Sequence, residues 1–180
     1  MADINQAVQF VLLQEDSHLS GDVTQIPGDR GGRTRFGLAE RWHPALVEQG
    51  FFDVEDGSPK IPNEEALAIA EKVYEEEYAA PLSLAEIDVQ GVADRVLSFA
   101  VNEGPREATL LLQRALNSCG CNLSTDGVFG PATLAAVNAA NSAQLIPALR
   151  AQQAGFYRRL VATQPRLLPE LQGFLNRANA

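Results

Sequence analysis

Apolar residues at helical spacing recur along most of this chain, and one glycine-rich, charge-rich stretch near its start breaks the pattern. Ile4, Ala7, Val8, Val11 and Leu12 share one face of a helix that Asp3 can cap and that ends near Glu15. Leu67, Ala70, Tyr74 and Tyr78 repeat on one face of "EEALAIAEKVYEEEYAAPL", with glutamates on the other. "GVADRVLSFAVNEGP" reads as an apolar helix stopped at Gly104, and Pro105 opens "REATLLLQRALN" in the first-turn position that proline tolerates. "DGVFGPATLAAVNAA" gives a turn and a shorter helix, "SAQLIPALRAQQAGFYRRLVATQ" a longer one and "ELQGFLNRA" a last. "LAERWHPALVEQG" reads as a helix broken near Pro44, and "FFDVEDGSPKIP" as a turn-rich connection. The fold class is therefore mainly α, with at most a short hairpin in 21–37, where Val23, Thr24, Ile26 and Phe36 suit strands.

The stretch that escapes the helical pattern is "EDSHLSGDVTQIPGDRGGRTRFGL", residues 15–38. A carboxylate at a helix end, followed by a loop with further carboxylates and a hydroxyl, matches what acid-catalysed glycoside cleavage needs. One acid protonates the leaving oxygen, while a second carboxylate and a hydroxyl hold and deprotonate a water on the far side of the sugar. Glu15, Asp29 and Thr34 are the candidates, with Asp22 in reserve for the water-activating role. The apolar run "FVLLQ" before Glu15 suits an acid, because apolar surroundings favour the protonated form of a carboxyl. Gly31 and Gly32 let the chain turn back toward the helix end. As a phosphate cradle, "GDRGGRT" lacks both the Lys-Ser/Thr ending of a P-loop and the three-glycine spacing of a dinucleotide fingerprint.

Composition narrows the partners. The net charge of -9 over 180 residues argues against nucleic acid, whose affinity comes from Lys and Arg neutralising phosphates. No apolar run approaches the roughly 20 residues that span a bilayer, so no membrane insertion is expected. Cys119 and Cys121 read as free thiols, and two histidines, His18 and His43, are too few for a histidine-based metal site. No metal and no cofactor are expected. "MADINQAVQFVLLQED" lacks the basic start and cleavage site of a signal peptide, which implies synthesis in the cytoplasm.

The same residues resemble the glycoside hydrolase family 108 muramidases. In that family a helix-end Glu precedes a Pro-x-Asp-x-Gly-Gly-x-Thr-x-x-Gly loop, met here by Pro27, Asp29, Gly31, Gly32, Thr34 and Gly37. "VADRVLSFAVNEGPREATLLLQRALN" and "DGVFGPATLAAV" resemble the family's second half, a predicted peptidoglycan-binding region. The resemblance implies a lysozyme-like helical fold with a short β-hairpin or irregular loop beside the active site. It also implies cleavage of the β-1,4 bond between N-acetylmuramic acid and N-acetylglucosamine, with Glu15 as general acid. Residues 1–88 then form the catalytic half and 89–180 a helical half, packed as one unit, and the partner is the glycan strand of peptidoglycan. The wall is reached after lysis or through export by another factor. Asn102, Tyr78 and Phe129 are the substrate-binding candidates. The chain departs from the family's Glu-Gly-Gly-Tyr, reading Glu15-Asp16-Ser17-His18, and its run from Glu15 to Asp29 is several residues longer. That keeps Asp22 as the alternative to Asp29. A lytic transglycosylase, in which Glu15 alone is acid and then base, and a non-catalytic wall-binding or phage structural protein are the rival readings. The acidic charge opposes anionic wall polymers and implies sensitivity to ionic strength.

Overall fold

The computed structural model describes residues 1–16, 18–25 and 31–179. α1 (Ile4–Glu15) starts at Asp3, whose carboxylate accepts the Gln6 N–H at 3.2 Å, and buries Ala7, Val8, Val11 and Leu12. Three short antiparallel strands follow, β1 (Thr24–Gln25), β2 (Arg33–Arg35) and β3 (Leu38–Ala39), with Thr24 opposite Thr34 and Arg35 opposite Leu38. α2 (Pro44–Glu48) leads to a second hairpin of β4 (Val54–Glu55) and β5 (Ser58–Pro59). α3 (Asn63–Val73) widens into a π turn over Tyr74–Ala79 and closes in two 3-10 turns. α4 (Gln90–Glu103), α5 (Pro105–Ser118), α6 (Pro131–Ala139), α7 (Ser142–Thr163) and α8 (Leu171–Asn179) complete the chain. The fold is mainly α, as the helical spacing predicts.

The helices build one core. α4 runs through its middle and buries Val92, Ala93, Val96, Leu97, Phe99 and Ala100, with α1 and the π turn on one side and α5 and α7 on another. α8 docks on α7, where Phe174 stacks on Tyr157 with ring centroids 4.8 Å apart and planes 10° from parallel. No helix of the described chain is long and apolar enough to cross a membrane.

Two local differences from the sequence reading have physical causes. The 51–62 stretch contains a hairpin, because Asp56 and Gly57 both take positive φ, 51° and 80°, the Asp-Gly turn whose twist matches paired strands. The first residues of "LAERWHPALVEQG" join the sheet as β3 rather than a helix, because Leu38 is 1 % exposed and pairs with Arg35. Period two overrides period 3.6 there.

Arg35 ties these pieces together. Its guanidinium, 1 % exposed, donates to the carbonyls of Gly21 (2.8 Å), Phe51 (3.1 Å) and Ile61 (2.9 Å) and to Oδ1 of Asn63 (2.7 Å). It also lies 5.4 Å from the Phe51 ring centroid. Burial pulls its pKa down, and the charge of Asp22 opposes that. Arg35→Met would leave three carbonyls without their donor. We expect a loss on the order of 3 kcal/mol, or a thermal transition lower by roughly 10 °C, measured by circular dichroism. Arg35→Lys should recover little of it, since one ammonium cannot span donors set by a planar fork.

Candidate active site

Glu15 is the last residue of α1, and the chain turns sharply beyond it. The turn is held by Asp16, whose carboxylate accepts the N–H groups of His18 (3.2 Å) and Gly21 (2.9 Å) and the hydroxyl of Ser20 (3.2 Å). Burial opposes ionisation of Asp16, but these donors outweigh it and hold the carboxyl below the ordinary range. The turn brings Ser20 and Asp22 round to face the helix end. Across from them runs β2, in which side chains alternate between faces. Arg33 and Arg35 reach toward the body of the protein: Arg33 bonds Glu40 (2.7 Å), the Phe52 carbonyl (2.7 Å) and Asp53 (3.2 Å). Thr34, between them, faces the opposite way. The result is a cleft of about 310 Å³ lined by Glu15, Asp16, Ser20, Asp22, Thr24, Thr34, Phe36 and Gly37.

Gly37 sets how closely β2 approaches Glu15. Its φ is 77°, and a Cβ there would stand 2.7 Å from Glu15 Cγ and 2.6 Å from the Tyr74 hydroxyl oxygen. Tyr74, fully buried in the π turn, donates that hydroxyl to the Phe36 carbonyl at 2.8 Å. Burial, with Glu15 and Tyr78 nearby, pushes the Tyr74 hydroxyl well above its ordinary range, so it stays a donor.

Behind Glu15 stands a cation from the far end of the chain. Arg177 of α8 lies 3.2 Å from Glu15 Oε1, with the two side chains 23 % and 17 % exposed. The same guanidinium bonds Oδ1 of Asn102, whose amide N–H donates back to the Ser98 carbonyl at 2.7 Å. Glu103 is the next residue on α4. Burial, with Glu107 adding to it and Arg177 opposing, pushes its carboxyl up to about 7. A second depression, about 580 Å³, is lined by Gln14 and by Pro169, Glu170, Gly173, Phe174, Asn176 and Arg177. Arg177, on its lining, is paired with Glu15 of the first.

Of the residues singled out in the sequence, Glu15 and Thr34 thus share one cleft, and the reserve Asp22 lines it with them. Asp29 lies outside the described residues. Asn102 reaches the site through Arg177. Tyr78 is half-buried, its ring centroid 5.8 Å from that of Tyr74 and 6.5 Å from that of His43. Phe129 sits in the turn before α6, partly buried against the core and apart from the cleft lining. Cys119 and Cys121 are free thiols, and no cluster of three or more His, Cys, Asp or Glu that could hold a metal occurs among the described residues. Sequence reasoning missed Arg177, which carries no motif; its one signal is a lone cation in the apolar "ELQGFLNRA".

Two family models match this chain. Residues 10–104 match the glycosyl hydrolase 108 model, and residues 107–179 match one described as a predicted peptidoglycan domain. Among solved structures, that of Brucella abortus SagA superposes with a TM-score of 0.66 over 97 % of this chain and 92 % of that one, at 22 % identity. At that identity the likeness shows the fold. No curated protein sequence matches the chain.

Two outcomes are expected from this geometry. Gly37→Ala should destabilise the fold by about 1–3 kcal/mol in thermal denaturation, because it combines a strained φ with a clash at Glu15. Glu103 should make stability fall as pH rises between about 4.5, its unfolded value, and about 7. In that window the folded state keeps a proton that the unfolded state has lost, so the slope of unfolding free energy with pH is negative. Chemical denaturation of Glu103→Gln across pH 4 to 8 should show a flatter profile and greater relative stability at pH 8.

Proposed function

The chain belongs to the glycosyl hydrolase 108 family, and from that premise we propose that it is an N-acetylmuramidase with Glu15 as general acid. It cleaves the β-1,4 bond between N-acetylmuramic acid and N-acetylglucosamine in peptidoglycan. The observation that carries this reading is the cleft in which the helix-end carboxyl of Glu15 faces Asp22, Thr24 and Thr34. The match of residues 107–179 to a predicted peptidoglycan domain supports the polymer.

In this mechanism the Glu15 carboxyl gives its proton to the glycosidic oxygen as the C1–O bond breaks, and the bonding electron pair leaves with that oxygen. Water adds to C1 from the opposite face and passes its proton to an aspartate, while Thr34 holds the water. Carboxyls that work through an intervening water stand roughly 6.5–9.5 Å apart and invert the anomer. Asp29 takes the aspartate role, on the strength of its seat in the Pro-x-Asp-x-Gly-Gly-x-Thr pattern. Asp22 is the alternative, favoured by its place on the cleft wall.

Digestion of purified peptidoglycan, with mass spectrometry of the products in heavy-oxygen water, tests the reading. The expected products carry a reducing N-acetylmuramic acid labelled from the solvent. Anhydro products would replace hydrolysis by transglycosylation, and no products at all would leave a wall-binding protein. Glu15→Gln should lower turnover by about a thousandfold with an unchanged thermal transition, since the amide keeps the shape but has no acid proton. Asp29→Asn should cost more than Asp22→Asn; the reverse order moves the base to Asp22.

A further inference from the structure

We propose that Arg177 is a positioning residue for proton transfer, supplied to the active site by the C-terminal helix and held in place by Asn102. The inference rests on the reading of Glu15 as general acid. Three observations carry it. Arg177 lies 3.2 Å from Glu15 Oε1, and both side chains are largely out of water. Asn102 accepts from the same guanidinium and is itself anchored to the Ser98 carbonyl, so the cation is bracketed from two helices rather than free to swing. Phe174, three residues before Arg177, stacks on Tyr157 and fixes the height of α8 on α7.

A cation in this place acts on the transition state. As Glu15 loses its proton to the departing oxygen, negative charge develops on the carboxylate that faces Arg177. An ion already in position stabilises that charge without reorganising.

Other charges act on the same spot. They are Asp16 on the turn, Asp22 on the cleft wall, the Tyr74 hydroxyl from the π turn, Glu103 from α4 with Glu107 of α5 behind it, and the Tyr157 hydroxyl from α7. Glu103 titrates near neutrality, so the test includes a background without it.

The experiment is the pH profile of kcat and KM on soluble glycan strands for the full chain and its Arg177→Met, Arg177→Lys and Asn102→Leu variants, repeated with Glu103→Gln. Arg177→Met should lower kcat by about tenfold to a hundredfold with KM little changed. Arg177→Lys, which keeps the charge, should recover most of kcat. Asn102→Leu should lower kcat in the same direction by less, and it decides the matter if Arg177→Met does not fold. A kcat that Arg177→Lys leaves as low as Arg177→Met does would make Arg177 a structural residue only. A faster Arg177→Met at every pH would make it an obstruction. Either result overturns the proposal while leaving Glu15→Gln inactive; an active Glu15→Gln would instead remove the reading beneath it.

Discussion

Arg35 lies 1 % exposed inside the protein, and its bonds to Gly21, Phe51, Ile61 and Asn63 tie β2 to three other stretches of chain: the turn after α1, the loop before β4 and the start of α3. Short strands of two or three residues have too few ladder bonds to define a surface alone. The guanidinium supplies what the ladders lack. With Arg33 tied two residues away to the Phe52 carbonyl, β2 is fixed on its inner face, and Thr34 is thereby fixed on its outer one. The cleft is shaped by charges that never face it.

The rest of the site depends on how the helices pack on one another. α1 carries Glu15 because its apolar face is sealed by α4, and α4 in turn presents Asn102 and Glu103 at its end. Gly37, in the turn after β2, leaves the space that Glu15 and the Tyr74 hydroxyl occupy, where a Cβ would clash with both. What looks like a loop-borne site is therefore set by two helix termini and a strand, which tolerate less play than a loop does.

Helices were the most legible part of this fold, because apolar spacing and the Gly104-Pro105 boundary report directly on backbone periodicity. Glu15 was legible for the same reason: it ends a periodic segment just before a stretch that cannot be helical. The β4–β5 hairpin was written in Asp56-Gly57 but masked by the polar residues around it. Arg35 and Arg177 were not legible. Their roles rest on partners 14 to 162 positions away, and a lone arginine reads the same whether it meets solvent, a ring of carbonyls or a helix-end carboxylate. Burial and long-range pairing belong to tertiary structure, and no local pattern encodes them.

The distance in sequence between Glu15 and Arg177 has a consequence for biogenesis. A ribosome releases α1 well before α8, and structure assembles in that order as it emerges. Every nascent chain that stops short of Arg177 holds Glu15 without its guanidinium, beside the unfilled face of α7 where Phe174 will stack. The electrostatic setting of the site is thus completed only once α8 has emerged, by a contact between α1 and α8.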